Sequence, residues 1–292
     1  MLREWLDEKN MRLKHACGIP VLVLLAALIA LPEAAAQDAA SLETGWRMMY
    51  GLDFRSADQV FGQWRREHPC DPLGPMSTAS TSLFEELDRR GVLQAQFFVD
   101  DASFLARRPV AADPEMRTRF EIALADTETL AQRVLAAEPR NHDALFAQAM
   151  VYGLRADYAA LIEERNMAFL SDSRKAAALA RTLLEFAPEY ADARLADGVA
   201  QYVVGSLIAP LRWVLRFAGY RGDRARGMGE VAVTAAHGRF LGPFARILLA
   251  LAYLRTHDNA QARELVAGLA RDFPTNGLFA RELQRMEASA LR

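Results

Sequence analysis

Four segments of the chain share one apolar spacing: Ala57, Phe61 and Trp64 before Pro69; Thr127, Ala131 and Val134 before Pro139; Ala176, Ala180 and Leu183 before Pro188; and Ala262, Val266 and Leu269 before Pro274. In each, the three residues stand four and then three apart, and the proline comes five later. Offsets of four and seven fall on one helical face. The small first residue allows a neighbouring helix close approach, and the later apolar residues fill the contact. Proline cannot continue a helix interior but is tolerated in a first turn, so it punctuates helix, short turn, helix. Asn141 and Asn276, two residues beyond their prolines, are placed to cap the next helix.

The pattern predicts helices over 41–51, 54–67, 75–90, 102–107, 114–125, 127–138 and 143–170. Further helices are predicted over 172–186, 190–204, 207–217, 223–237, 242–256, 260–273 and 278–290. Alternation of period two nowhere persists between turn signals, so no strand is predicted. Each helix pair has an apolar face that it buries only by stacking on a neighbour. The expected fold is all-α: an α-solenoid of antiparallel helix pairs.

Leu249, Ala250 and Tyr253 precede Ala262 at the spacing of the first helix of a pair, and with the proline-terminated segments they resemble the tetratricopeptide repeat. Ala149 and Tyr152 repeat the small-to-aromatic step, but Ala176 comes too late for a plain repeat of about 34 residues. An insertion is expected over 158–173, prolonging the helix that starts near His142. The distance from Pro188 to Pro274 calls for a second insertion near 203–222. Tyr202-Val203-Val204-Gly205-Ser206, the run Gly219 to Gly227, Gly238-Arg239-Phe240, Leu83 to Leu87 and Gln96-Phe97-Phe98 are similar to a group of exported bacterial tetratricopeptide-repeat proteins. The resemblance covers nearly all of the mature chain and implies a helical scaffold without an established activity. Trp64, where a small residue is usual, and Thr127 depart from the pattern, and the repeat ending near Gly238 lacks its proline.

Residues 18–31 are apolar, come after Arg12, Lys14 and His15, and lead to Ala34, Ala35, Ala36 and Gln37. A basic start, a short apolar middle and an A-x-A site read as a secretory signal over 1–36, cleaved between Ala36 and Gln37, with a single repeat domain over 37–292. The stretch is short for a membrane span of about 20 residues; an uncleaved inner-membrane anchor is the alternative to periplasmic export. After cleavage Cys70 is the one remaining cysteine, so no internal disulfide is expected.

Composition alters this picture little. A chain of 292 residues that is 52% hydrophobic and 25% charged has ample material for a core. With 35 basic and 37 acidic side chains, and no long run of one sign, nucleic acid is disfavoured as a partner. The five histidines stand far apart without metal-ligand spacing, and Gly205-Ser206 lacks the following glycine of a nucleophile elbow. No cofactor, metal or catalytic residue is expected. Gly222, Gly227 and Gly229 with Arg221, Arg224 and Arg226 match no phosphate-binding fingerprint; they read instead as a turn, an Asp223 cap and a close helix contact.

The segment 207–217 carries more apolar surface than one packing stripe requires, with Arg212 and Arg216 a turn apart. Trp and Arg are favoured interface anchors. Candidate partner contacts are Tyr202, Arg212, Trp213, Arg216, Phe217 and Arg224. The expectation is a non-enzymatic scaffold or adaptor of the cell envelope with a protein or peptide in its concave groove. A peripheral membrane component held by 207–217 is the alternative, and an enzyme with an unrecognised site ranks last.

Overall fold

The computed structural model describes residues 42–93, 110–163, 165–206 and 222–290. Among them there is no strand, and most of the helices succeed one another through short turns, the segments 94–109 and 207–221 lying outside the described residues. They are α1 (42–50), α2 (Phe54–Glu67), α3 (Leu73–Arg89), α4 (Pro114–Ala137), α5 (His142–Leu161) and α6 (Asn166–Phe186). After a single 3-10 turn (Ala191–Ala193) come α7 (Arg194–Ser206), α8 (Arg224–His237), α9 (Gly242–Arg255), α10 (Asn259–Asp272) and α11 (Gly277–Ala290). Consecutive helices pack on each other throughout, and α3 also touches α5 across α4. The expected all-helical stack of pairs is what the structure shows. The pairs are α1/α2, α3/α4, α5/α6, α7/α8 and α9/α10, closed by α11.

The proline-terminated pattern forms the contact face of the even-numbered helices. Ala57, Phe61 and Trp64 of α2, Ala176, Ala180 and Leu183 of α6, and Ala262, Val266 and Leu269 of α10 are all buried. In α4 Thr127 and Ala131 are buried and Val134 packs partly against the same core. A fifth member lacks the proline: Gly227, Val231 and Thr234 of α8 have the same spacing and are buried. A Cβ on Gly227 would lie 2.5 Å from the Tyr202 nitrogen and 2.7 Å from the Gly198 oxygen, so glycine lets α7 and α8 touch where alanine serves elsewhere.

Two expectations are corrected. Residues 114–137 form one helix with no break near Asp126; no Gly or Pro interrupts it after Pro114, and Thr127 Oγ1 donates to the Ala123 carbonyl at 2.7 Å without leaving the helix. The predicted helix 143–170 ends at Leu161. There the Arg165 N–H reaches back to the Ala159 carbonyl at 2.7 Å and α6 begins at Asn166, so the insertion lengthens both helices of the pair. Cys70 is disulfide-bonded, whereas the expectation of an unpaired thiol concerned the chain cleaved after Ala36. The predicted helices over 102–107 and 207–217 lie outside the described residues, as does the leader over 1–36.

The solenoid closes on itself. Tyr50, at the end of α1, donates through its hydroxyl to the Phe240 carbonyl (3.0 Å) and accepts at its own carbonyl from Asn276 Nδ2 (2.9 Å). Thr275 Oγ1 donates to the Gly51 carbonyl (3.0 Å), and Arg239 pairs with Glu43 (3.0 Å). Trp46 packs on Phe240 (5.4 Å between centroids), Tyr50 on Phe273 (5.7 Å), and Phe84 of α3 edge-on to Phe244 of α9 (5.7 Å). One apolar cluster therefore runs from Leu42 to Phe273 through all five pairs. Where the two ends of the stack meet, its concave side is partly closed off.

Candidate functional site: an apolar cavity

Every odd-numbered helix contributes to that concave side: Tyr50 from α1, Leu83 from α3, Asp157 from α5, Val203 from α7, Leu248 from α9 and Leu278 from α11. They surround a cavity of about 590 Å³ whose walls are predominantly aliphatic and aromatic. A smaller chamber of about 150 Å³ adjoins it and shares Phe84, Asp157, Phe169, Phe244 and Leu248. The apolar lining results from the pairing of helices: the inner face of each odd helix repeats apolar residues three and four apart, as in Phe244, Ile247, Leu248 and Leu251. Ligand cavities of about 300–1,000 Å³ with apolar walls and few polar groups are the usual form of a small-molecule site.

Several of the polar groups on the walls are engaged. The Tyr50 hydroxyl is bonded to the Phe240 carbonyl, and burial, with the Asp192 charge adding to it, raises its pKa well above the ordinary phenol value. Asn276 bonds the Tyr50 carbonyl through its amide and the Leu278 N–H (3.0 Å) through its oxygen. Asp192 accepts from the N–H groups of Arg239 (2.9 Å), Phe240 (3.2 Å) and Leu241 (2.8 Å). Asp157 lines both chambers and has no hydrogen bond or ion pair; burial alone pushes its carboxyl up to about 7. At α11 the cavity reaches charged side chains: Arg281 and Arg285 are exposed, Glu282 is half-buried, and Arg285 Nε donates to Glu282 (2.9 Å).

Two of the predicted partner contacts come together. The Arg224 guanidinium, exposed, lies 5.8 Å from the ring centroid of half-buried Tyr202. A glycine seam brings them there, since a Cβ on Gly222 would lie 2.2 Å from the Gly205 nitrogen; the flanks of residues 207–221 thus meet at one point. Arg212, Trp213, Arg216 and Phe217 lie outside the described residues, as do Ala36 and Gln37. Asp223 caps α8 by accepting from the Arg226 N–H (3.0 Å), so the glycine-arginine run is built as turn, cap and close contact. His68 stacks on Trp64 (4.1 Å) and His142 lies against Phe186 (5.5 Å). Among the described residues no three His, Cys, Asp or Glu side chains cluster as metal ligands, and no helix is long and apolar enough to cross a membrane.

Sequence reasoning missed Asp157 and Asp192. Asp157 carried a readable signal, an acid seven residues after Met150 and four after Gly153 on an otherwise apolar helix face. Asp192 had none, because the N–H groups it binds lie 47 to 49 residues away.

No family model and no curated protein sequence matches the chain. Among solved structures the chain is similar to a thermophilic TPR protein from Thermus thermophilus, at 16% identity and a TM-score of 0.44, over 86% of this chain and 99% of that one.

Proposed function

We propose that the chain is an exported, non-enzymatic binding protein of the cell envelope, whose ring of inner helices encloses an apolar occupant. The cavity of about 590 Å³ shared by all six odd-numbered helices carries this reading. Its walls hold an occupant by burial, worth roughly 25 cal/mol per Å² of apolar surface removed from water. The leader-like pattern over 1–36 supports export. The purified chain should bind the apolar dye N-phenylnaphthylamine saturably, one per chain, with Leu248→Trp filling the cavity and abolishing the signal while helicity is kept. A linear, unsaturable dye response would sink the reading.

A second reading, a protein adaptor, is favoured by the exposed Arg224–Tyr202 pair at the point where 207–221 leaves and rejoins the scaffold. Arg is an interface anchor when it stacks on an aromatic ring. Tyr202→Ser with Arg224→Glu should remove a partner captured by the native chain without lowering the thermal midpoint. Co-sedimentation with lipid vesicles in place of a captured protein would favour the peripheral membrane role instead.

A further inference from the structure

We infer that the occupant is an acyl chain whose carbonyl oxygen accepts a hydrogen bond from Asp157 at the junction of the two chambers. This rests on the reading of the cavity as a binding site.

The walls specify the ligand by what they offer. From α1 to α11 they present Leu, Phe, Ile and Val side chains, which suit a flexible hydrocarbon. Asp157 stands where both chambers meet, and no described residue bonds or pairs with its carboxyl. A ligand that enters the cavity covers this half-buried carboxyl, and a group left unpaired on burial costs about 1–3 kcal/mol, so a ligand that supplies the partner is favoured over one that does not. The carboxyl lies in the cavity wall with no cation beside it among the described residues, and burial pushes it up to about 7, so below that pH it is protonated. A protonated carboxyl has an O–H to donate; its complement is an acceptor, and a carbonyl on a long aliphatic chain meets both the walls and the acid. Arg281 and Arg285, at the exposed end of the cavity, are placed for the polar end of a longer molecule. A free fatty acid and a phospholipid share this chemistry.

The affinity for such a ligand then depends on pH. The groups that face the cavity around Asp157 are Tyr50, Asp192, Arg281, Glu282 and Arg285. Tyr50 stays protonated far above neutrality, and the charged trio lies at the exposed end; burial raises Asp192 too, against the three backbone N–H groups that bind it, but it lines only the smaller chamber. Asp157 is the group that titrates across pH 6 to 8. Above its pKa it loses the donor and becomes a buried charge against an apolar ligand, so binding weakens as pH rises.

The test uses the full chain and two neutral probes, N-phenylnaphthylamine and the methyl ester of cis-parinaric acid, monitored by fluorescence from pH 6 to 8. The ester should bind one per chain and weaken with rising pH, and Asp157→Leu should weaken it about fivefold at pH 6, the worth of one hydrogen bond, while dye binding persists. Asp157→Asn keeps an N–H donor and should retain the ester with no pH dependence; its helicity and that of Asp157→Leu are checked by circular dichroism. Ester affinity unchanged by Asp157→Leu and by pH overturns the inference and leaves the cavity reading standing, whereas failure of the dye overturns both. Free parinaric acid and a parinaroyl phospholipid presented in phosphatidylcholine vesicles separate the two sources; uptake of either supports the inference, and uptake of neither overturns it.

Discussion

Two kinds of turn end the even-numbered helices, and they reach the same place by different chemistry. At His68, Glu138, Ala187 and Phe273 the residue before proline has φ between −125° and −131° and ψ between 65° and 82°. That extended φ is what a following proline imposes. Three of these turns then cap the next helix with a side chain a few residues along the chain: Asp71 accepts from the Leu73 N–H (2.9 Å), Asn141 from Ala144 (3.0 Å) and Asn276 from Leu278 (3.0 Å). At Gly238 there is no proline, and φ is −65° with ψ 129°. Leu241, the residue before α9, offers no side-chain cap. Asp192 serves instead from across the core, binding three successive N–H groups. The difference lies in where the information sits: four turns are specified locally, the fifth by a tertiary contact. The fifth is also where the solenoid closes, because it delivers Phe240 between Trp46 and Phe146.

The comparison predicts unequal tolerance. Asp192→Ala leaves three N–H groups at the closing turn without their acceptor and should destabilise by about 3–5 kcal/mol, the most of any single turn substitution. Chemical denaturation would read it, and a loss below about 1 kcal/mol would mean that water replaces the carboxylate. Next comes Gly238→Ala. A Cβ there would lie 2.6 Å from the Thr234 oxygen and 2.7 Å from Asp192 Oδ1, so the turn must shift, at about 2–3 kcal/mol. The same substitution at Gly229, where nothing lies within 4 Å of the added atom, should instead stabilise α8 slightly.

The contrast also explains how much could be read from the amino-acid order. The repeat spacing, the prolines and the Asn141 and Asn276 caps act within a few residues of one another, and each was legible. The end of α5 was not, because residues 162–165 contain neither Gly nor Pro and the helix stops through backbone bonds back to Tyr158 and Ala159. Closure was illegible for a related reason. Tyr50, Phe240 and Asn276 look like ordinary apolar or capping residues until the superhelix brings them together. The apolar inner faces of the helices were readable in the spacing, and the contacts that join α1 to the turns before α9 and α11 were not. Asp157 shows the intermediate case, detectable as an acid on an apolar stripe but given meaning only by the cavity.

Smaller effects sharpen the comparison. Arg239 occupies the place of proline in the fifth turn, and Arg239→Pro would copy the other four. Here it should destabilise by about 1–2 kcal/mol, because the Arg239 N–H is one of the three donors to Asp192 and Arg239 also pairs with Glu43. Arg239→Ala separates the two causes, since it removes the ion pair and keeps the N–H; exposed pairs of this kind contribute about 0–1 kcal/mol. The smallest change is expected at a proline turn. Pro274→Ala removes no hydrogen bond and frees the unfolded chain, at a cost of about 0.4–1 kcal/mol, because the Phe273 N–H to Leu269 (2.9 Å) and Asn276 N–H to Phe273 (3.0 Å) bonds remain. If Pro274→Ala proved as damaging as Asp192→Ala, the proline would be holding the closing contacts of Thr275 and Asn276 with α1 in place, and the division into local and tertiary turns would fail at the joint where the two ends of the solenoid meet.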